Sequence, residues 1–431
     1  MSVASHDADQ YQHDMFCPGI SSLGDGRLVI TGGSNAERTT IYDPVTNEFS
    51  AAANMQIPRG YQSSTILSNG KVFTIGGSWS GARGGKTGEI FDPFANSWTI
   101  LPGADVTPML TYDHEGPFRT DNHAWLFPWS NGSVFQAGPS KAMHWYDTNG
   151  QGNVTPAGIR DAVNDAMCGV NVMYDIGKIF SAGGSQFYHL APGLKVAHLI
   201  AINGVGQEAT IEQLPDMYHA RAFANAVVLP DGKILITGGQ GWAEGFTDKE
   251  PVFVPELFDP ATKTFTELEP EAVPRNYHSV SILLADGTVF SGGGGLCYDD
   301  GSGTSERCRD TVDHPNGQIF TPPYLLTDAP RPVIASVVGP MGNAVIPGGE
   351  LRVTMERSAE GLQFSLLRIG SVTHNINSDQ RRVPLTPIIE GAEAVLTLPS
   401  DSGIVLPGAW FLFALSPEGV PSVAKTVWVQ I

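Results

Sequence analysis

DGRLVITGG, residues 25–33, consists of a turn signal, a short apolar run and a glycine pair. Asp-Gly supplies the positive φ angles of a tight hairpin, and the apolar run has strand length. The pattern recurs as NGKVFTIGG (69–77), NGSVFQAGP (131–139), IGKIFSAGG (176–184), DGKILITGG (231–239) and DGTVFSGGG (286–294). Three units share a second half: IYDPVTNEF (41–49), IFDPFANSW (90–98) and LFDPATKTF (257–265). In each, an aromatic follows seven residues after the Tyr or Phe that precedes Asp-Pro, which reads as an outer hairpin. Four short strands per unit, repeated at roughly the kelch period, make a β-propeller blade. Six such units lie between about residues 13 and 325. Two stacked β-sandwiches are the alternative, but recurring glycine pairs suit strands that crowd an axis. From Arg331 the repeat stops, and a Pro-bounded stretch ending in TVWVQI reads as a separate sandwich. The expected division is a β-propeller over 1–328 and a β-sandwich over 329–431.

Composition agrees with an all-β chain: 50 Gly and 31 Pro among 431 residues, and only 16% charged residues. A formal net charge of −19 argues against nucleic acid or an anionic membrane as partner, because phosphate binding needs a basic face. No apolar run is long enough to span a bilayer. The N-terminus, MSVASHDADQYQHD, lacks the basic start and apolar core of a signal peptide. Of the four cysteines, Cys297 and Cys308 bracket a Gly/Ser/Asp-rich loop and could close it as a disulfide. Cys17 and Cys168 sit in apolar, strand-like contexts.

The repeat also serves as a ruler. Eight residues before each turn stand Cys17, Tyr61, His123, Cys168, Phe223 and His278, with Tyr277 one step away. Equivalent positions in a propeller ring its axis. Taken singly, a buried Cys is a small hydrophobe and a lone His a structural hydrogen-bonder. Convergent His, Tyr and Cys on one axis instead suit a transition metal, and phenolate ligation points towards redox chemistry. His374, in the polar stretch RIGSVTHNINSDQRR (368–382), is either part of a surface hairpin or a ligand delivered into the channel by the second domain.

At these residues the sequence resembles galactose oxidase and the copper radical alcohol oxidases around it. The likeness runs through HDMFCPGI, RGYQSS, FTIGGSWSG, DNHAWLF, FQAGPS, DAMCG, YHS, GGGGLC and THNINSDQRR. The resemblance implies a seven-bladed kelch propeller, an immunoglobulin-like domain and oxidation of primary alcohols by O2. It implies one copper ion held by Tyr61, Tyr277, His278 and His374, with Cys17 thioether-linked to Tyr61 as a redox-active tyrosyl group. Trp79 corresponds to an indole stacked over that thioether. Tyr277 would be the general base and Tyr61 the hydrogen acceptor. Arg119, Phe246, Tyr188 and His189 fall at substrate-contacting positions.

Two of the pocket positions depart from the family. Phe118 replaces a Tyr and His189 replaces a Gln, so aryl or aliphatic primary alcohols compete with galactose or galactosides as the expected substrate. The front departs too, because six blades are recognisable where the family has seven. Secretion and a monomeric state are expected from kin. The alternatives are a glyoxal-oxidase-type enzyme acting on aldehydes and a non-catalytic kelch binding module. His123 and Cys168 are expected to be a structural histidine and a buried spectator thiol.

Overall fold

The first glycine of each pair has no room for a side chain. A Cβ on Gly76 would lie 2.1 Å from the Asp121 carbonyl oxygen, and one on Gly238 would lie 1.9 Å from that of Arg275. Both glycines have positive φ, which their lack of a Cβ permits. The second glycine of each pair then donates its N–H to the same carbonyl, Gly77 to Asp121 at 3.1 Å and Gly239 to Arg275 at 2.7 Å. Gly33 and Gly184 do likewise to Arg59 and Arg221. The repeat that marks the blades in sequence is thus the clamp that joins each blade to the next.

The computed structural model describes residues 12–295 and 313–431. Five four-stranded antiparallel sheets follow one another, and a three-stranded sheet (Ser279–Leu283, Val289–Gly293, Gly317–Phe320) comes sixth among the described residues. The first blade, Gly19–Ser22, Leu28–Thr31, Thr39–Asp43 and Glu48–Ala51, shows the common order of simple neighbour pairing. Its outer hairpin is the one expected at Asp-Pro: Asp43 Oδ1 accepts from the Val45 N–H at 2.8 Å. Asp92 and Asp259 make the same turn in their blades. The seven-residue aromatic spacing becomes a cross-strand pair each time: Tyr42–Phe49, Phe91–Trp98 and Phe258–Phe265, with ring centroids 4.7, 5.1 and 4.8 Å apart.

After the propeller, a four-stranded and a five-stranded sheet pack over a core that includes Leu351, Leu396, Trp410 and Val427. The connection 369–381, between strands Gln363–Arg368 and Arg382–Leu385, leaves this sandwich and enters the propeller. Asp379 Oδ2 accepts from the Ser22 N–H at 2.8 Å, Arg381 donates to the Pro128 carbonyl at 3.0 Å, and Asn375 donates to the Ala224 carbonyl at 2.6 Å. One buried loop therefore touches three blades. At its root, Arg368 pairs with Asp379 at 2.6 Å, both side chains almost wholly buried. Cys297 and Cys308, expected as a disulfide, lie outside the described residues.

Candidate metal centre

All six positions picked out by the repeat ruler carry positive φ although none is glycine: Cys17 61°, Tyr61 66°, His123 55°, Cys168 56°, Phe223 58° and His278 139°. Non-glycine residues held there cost about 1–3 kcal/mol each and gather at functional sites. The kink turns each residue out of the strand alternation at the strand mouth. Backbone bonds knit neighbours together, with the Tyr61 N–H donating to the Cys17 carbonyl at 3.1 Å and that of His123 to the Tyr61 carbonyl at 3.0 Å. Buried arginines just upstream hold the mouths: Arg59, Arg221 and Arg275 each donate to the carbonyl of a glycine in their own blade's pair.

The adjacency of Tyr277 and His278 resolves here. Their rings stack with centroids 3.8 Å apart, so both face the channel instead of opposite sides of a strand. The Tyr61 and Tyr277 hydroxyls are in hydrogen-bond contact. Across from them, Nε2 of His278 and Nε2 of His374 approach to 3.1 Å. The Cys17 sulfur and ring nitrogens of both histidines lie within 4.8 Å of one another, and Cys17 hydrogen-bonds the Tyr61 side chain. Trp79 stacks on the Tyr61 ring at 4.8 Å with a 27° interplanar angle. His374 thus arrives in the channel, not on a surface hairpin, and is 7% exposed.

The electrostatics of this cluster suit a cation. Burial drives the His278 imidazole down to about 4 and that of His374 further below its ordinary value, so both rings are neutral at pH 7. His374 Nδ1 is 2.7 Å from Thr373 Oγ1, and a proton donated there leaves a lone pair on Nε2. Burial first, then the neighbouring Tyr277, raises the Tyr61 phenol well above its usual range; burial does the same for Tyr277. Two imidazole lone pairs and two oxygens that ionise only with help form an N2O2 donor set of the kind copper(II) takes. The residues present fit that metal.

Around this core, Arg119 lies over the Tyr188 ring at 4.4 Å and donates Nε–H to Glu115 at 2.8 Å. Phe246, itself at φ 65°, meets the Tyr277 ring edge-on at 4.8 Å. His189 Nδ1 accepts from the Gly245 N–H at 3.2 Å, which ties it to the loop carrying Phe246. His123, expected as a structural histidine, and Cys168, expected as a buried spectator thiol, both lie against Tyr188. His123 Nε2 is 3.2 Å from the Tyr188 hydroxyl, which is 3.4 Å from that of Tyr277. Cys168 hydrogen-bonds the Tyr188 side chain. Glu115, Asp113, whose carboxylate accepts from the Tyr188 N–H at 2.7 Å, and Thr373 were not singled out. They stand outside the repeat register and carry no motif of their own.

A galactose oxidase-like early set domain model matches residues 331–431, and a glyoxal oxidase N-terminus model matches residues 182–298. A galactose oxidase of Gibberella zeae is 47% identical over 430 residues, covering 97% of this chain and 61% of that protein. The chain thus spans about three fifths of that relative's length. Aldehyde oxidase GLOX of Vitis pseudoreticulata is 26% identical over 451 residues, covering 97% of this chain and 82% of that protein. A fungal alcohol oxidase of the AA5 family, solved in complex with copper, superposes with a TM-score of 0.90 at 45% identity, covering 97% of this chain and 86% of that one. With the all-β architecture of four-stranded blades followed by an early set sandwich, these likenesses establish that the chain belongs to the galactose oxidase-like family.

Proposed function

We propose that the chain is the catalytic body of a copper radical oxidase that converts primary alcohols to aldehydes: RCH2OH + O2 gives RCHO + H2O2. The observation that carries this reading is the meeting of two histidine Nε2 atoms and two phenol oxygens beside a buried cysteine. Tyr61, Tyr277, His278 and His374 would hold the metal. Copper(II) bound there supplies a Lewis acid for the alcohol oxygen and accepts one of the two electrons that the oxidation removes.

The chain's own groups do the rest. Tyr277 Oη receives the alcohol proton as general base. Its buried surroundings support that role, because a phenolate without a cation is disfavoured there. The hydrogen on the carbinol carbon, with the second electron, goes to the Tyr61 oxygen. The Cys17 sulfur, joined to the Tyr61 ring, would delocalise the unpaired electron. Trp79, stacked on that ring, shields it from water. Arg119, over the Tyr188 ring, and Phe246, against the Tyr277 ring, would contact the substrate. Tyr188 also fixes the Tyr277 hydroxyl. His189 supports the Phe246 loop through Gly245.

The substrates are an alcohol and O2, the expected state is a monomer, and secretion is proposed from kinship. No helix among the described residues is long and apolar enough to cross a membrane. A second reading, oxidation of aldehydes, is favoured by the glyoxal oxidase model over residues 182–298. Copper-loaded protein should consume O2 and make H2O2 from benzyl alcohol or galactose faster than from methylglyoxal. The reverse order selects the second reading. No turnover on any of the three, after copper loading and oxidative activation, overturns both.

A further inference from the structure

A cleft of about 610 Å³ lies where the propeller meets the sandwich. Small-ligand sites span about 300–1,000 Å³. The cleft includes Asp175, Lys178, Asp231, Lys233, Asp259 and Arg382. Asp175 ends the strand Val170–Asp175, whose other end begins beside Cys168 at the metal-centre mouth. Six extended residues at about 3.3 Å each put the cleft about 20 Å from that mouth, at the far end of the blade.

The charges in the cleft decide what it fits. Four carboxylates, with Glu418 the fourth, face three cations. Lys178 pairs with Asp175 at 2.9 Å, and Lys233 lies 3.4 Å from Asp231 and 3.9 Å from Asp259. Arg382 Nε–H donates to the Pro230 carbonyl at 3.0 Å. An anionic ligand would meet the four carboxylates, on a chain of net charge −19. A metal cation would meet the three basic heads. A hydroxyl group can donate to a carboxylate while accepting from an ammonium or guanidinium, so an alternating acid–base lining matches a neutral polyol. Half-buried Tyr324 adds ring surface, its hydroxyl anchored on the Gly287 carbonyl at 2.7 Å, while Tyr174 lines the cleft from the hydrophobic core. Exposed Gln363 adds an amide to the lining.

We propose that this cleft binds a neutral oligosaccharide segment and docks the protein on polymeric carbohydrate, separately from the alcohol that it oxidises. The test is calorimetric titration of the copper-loaded protein with neutral oligosaccharides of four to six sugars (glucan, mannan, xylan and galactan series) and with oligogalacturonates. At least one neutral series should bind and the oligogalacturonates should not. The double variant Asp259→Asn, Gln363→Ala should weaken the neutral series tenfold or more, while H2O2 production from benzyl alcohol stays as in the parent. The asparagine keeps the Oδ1 that accepts from the Ala261 N–H, so the turn survives. The inference is overturned if no neutral series binds, if the double variant binds as the parent does, or if oligogalacturonates bind equally well.

Discussion

Replacing Thr373 with valine removes one hydroxyl at nearly constant shape, and so isolates the 2.7 Å bond between Thr373 Oγ1 and His374 Nδ1. That bond sets the ring's tautomer and turns Nε2 towards His278. The His374 ring also stacks on His123 at 5.0 Å and meets Tyr61 edge-on at 4.9 Å, so it will not swing free in the variant. What is lost is the fixed tautomer. Removing such an orienting partner lowers metal affinity about 10–100-fold, which is about 1.4–2.7 kcal/mol. The metal-free fold should lose only about 1 kcal/mol, the net worth of one ordinary hydrogen bond. Copper(II) titration against a competing chelator at pH 7, paired with thermal melts of metal-free protein, separates the two effects. An affinity within twofold of the parent, with a lowered melting temperature, would show that Thr373 serves the fold alone and that His374 is not held for a metal.

Asp379→Asn should cost about 3–5 kcal/mol in urea unfolding, because it leaves Arg368 charged and buried without its 2.6 Å partner; a loss under 1 kcal/mol would show that the root of the His374 loop is not held by this pair. Metal-free protein should melt at progressively lower temperature as the pH falls from 6.5 towards 4. Burial holds His123, His144 and His198 at about 3, 4 and 4 in the fold, below the ordinary 6.5. The unfolded chain therefore binds more protons in that window, and stability is full above it. His144→Gln with His198→Gln should flatten the profile, and an unchanged slope would contradict the assignment. Copper binding at pH 7 should release protons, because burial keeps the Tyr61 and Tyr277 phenols protonated without a cation. Calorimetry in two buffers of different ionisation enthalpy counts them, and zero release would exclude phenolate ligation.

Much of the blade architecture was legible because each signal has a single geometric cause. The glycine pair recurs because a neighbour's carbonyl occupies the space of a Cβ at Gly76 and Gly238. The aromatic spacing recurs because Tyr42 and Phe49, like Phe91 and Trp98, sit opposite one another in register. The ring of Cys17, Tyr61 and His278 was legible for the same reason: a position fixed eight residues from a turn is fixed in space. Partners that stand in loops outside the repeat register left no such trace. Glu115 reaches Arg119 and Asp113 reaches Tyr188 from a loop whose spacing obeys no repeat. The same limit applies to His374, whose depth in the channel depends on Asp379, Asn375 and Arg381 bonding to three separate blades. His189 adds a bond that no motif marks: beside the substrate contact implied by the resemblance, its Nδ1 ties down the loop that carries Phe246.

The proposed chemistry requires a sulfur-substituted phenol next to copper. Cys17 is 3% exposed and Tyr61 2%, and they touch one another beside the two histidines. Intact-mass and peptide mass spectrometry after aerobic incubation with copper tests this directly. The predicted result is the loss of two hydrogens and a Cys17–Tyr61 peptide pair that stays joined under strong thiol reductant. Unshifted mass, with the two peptides separating under the same conditions, would contradict it.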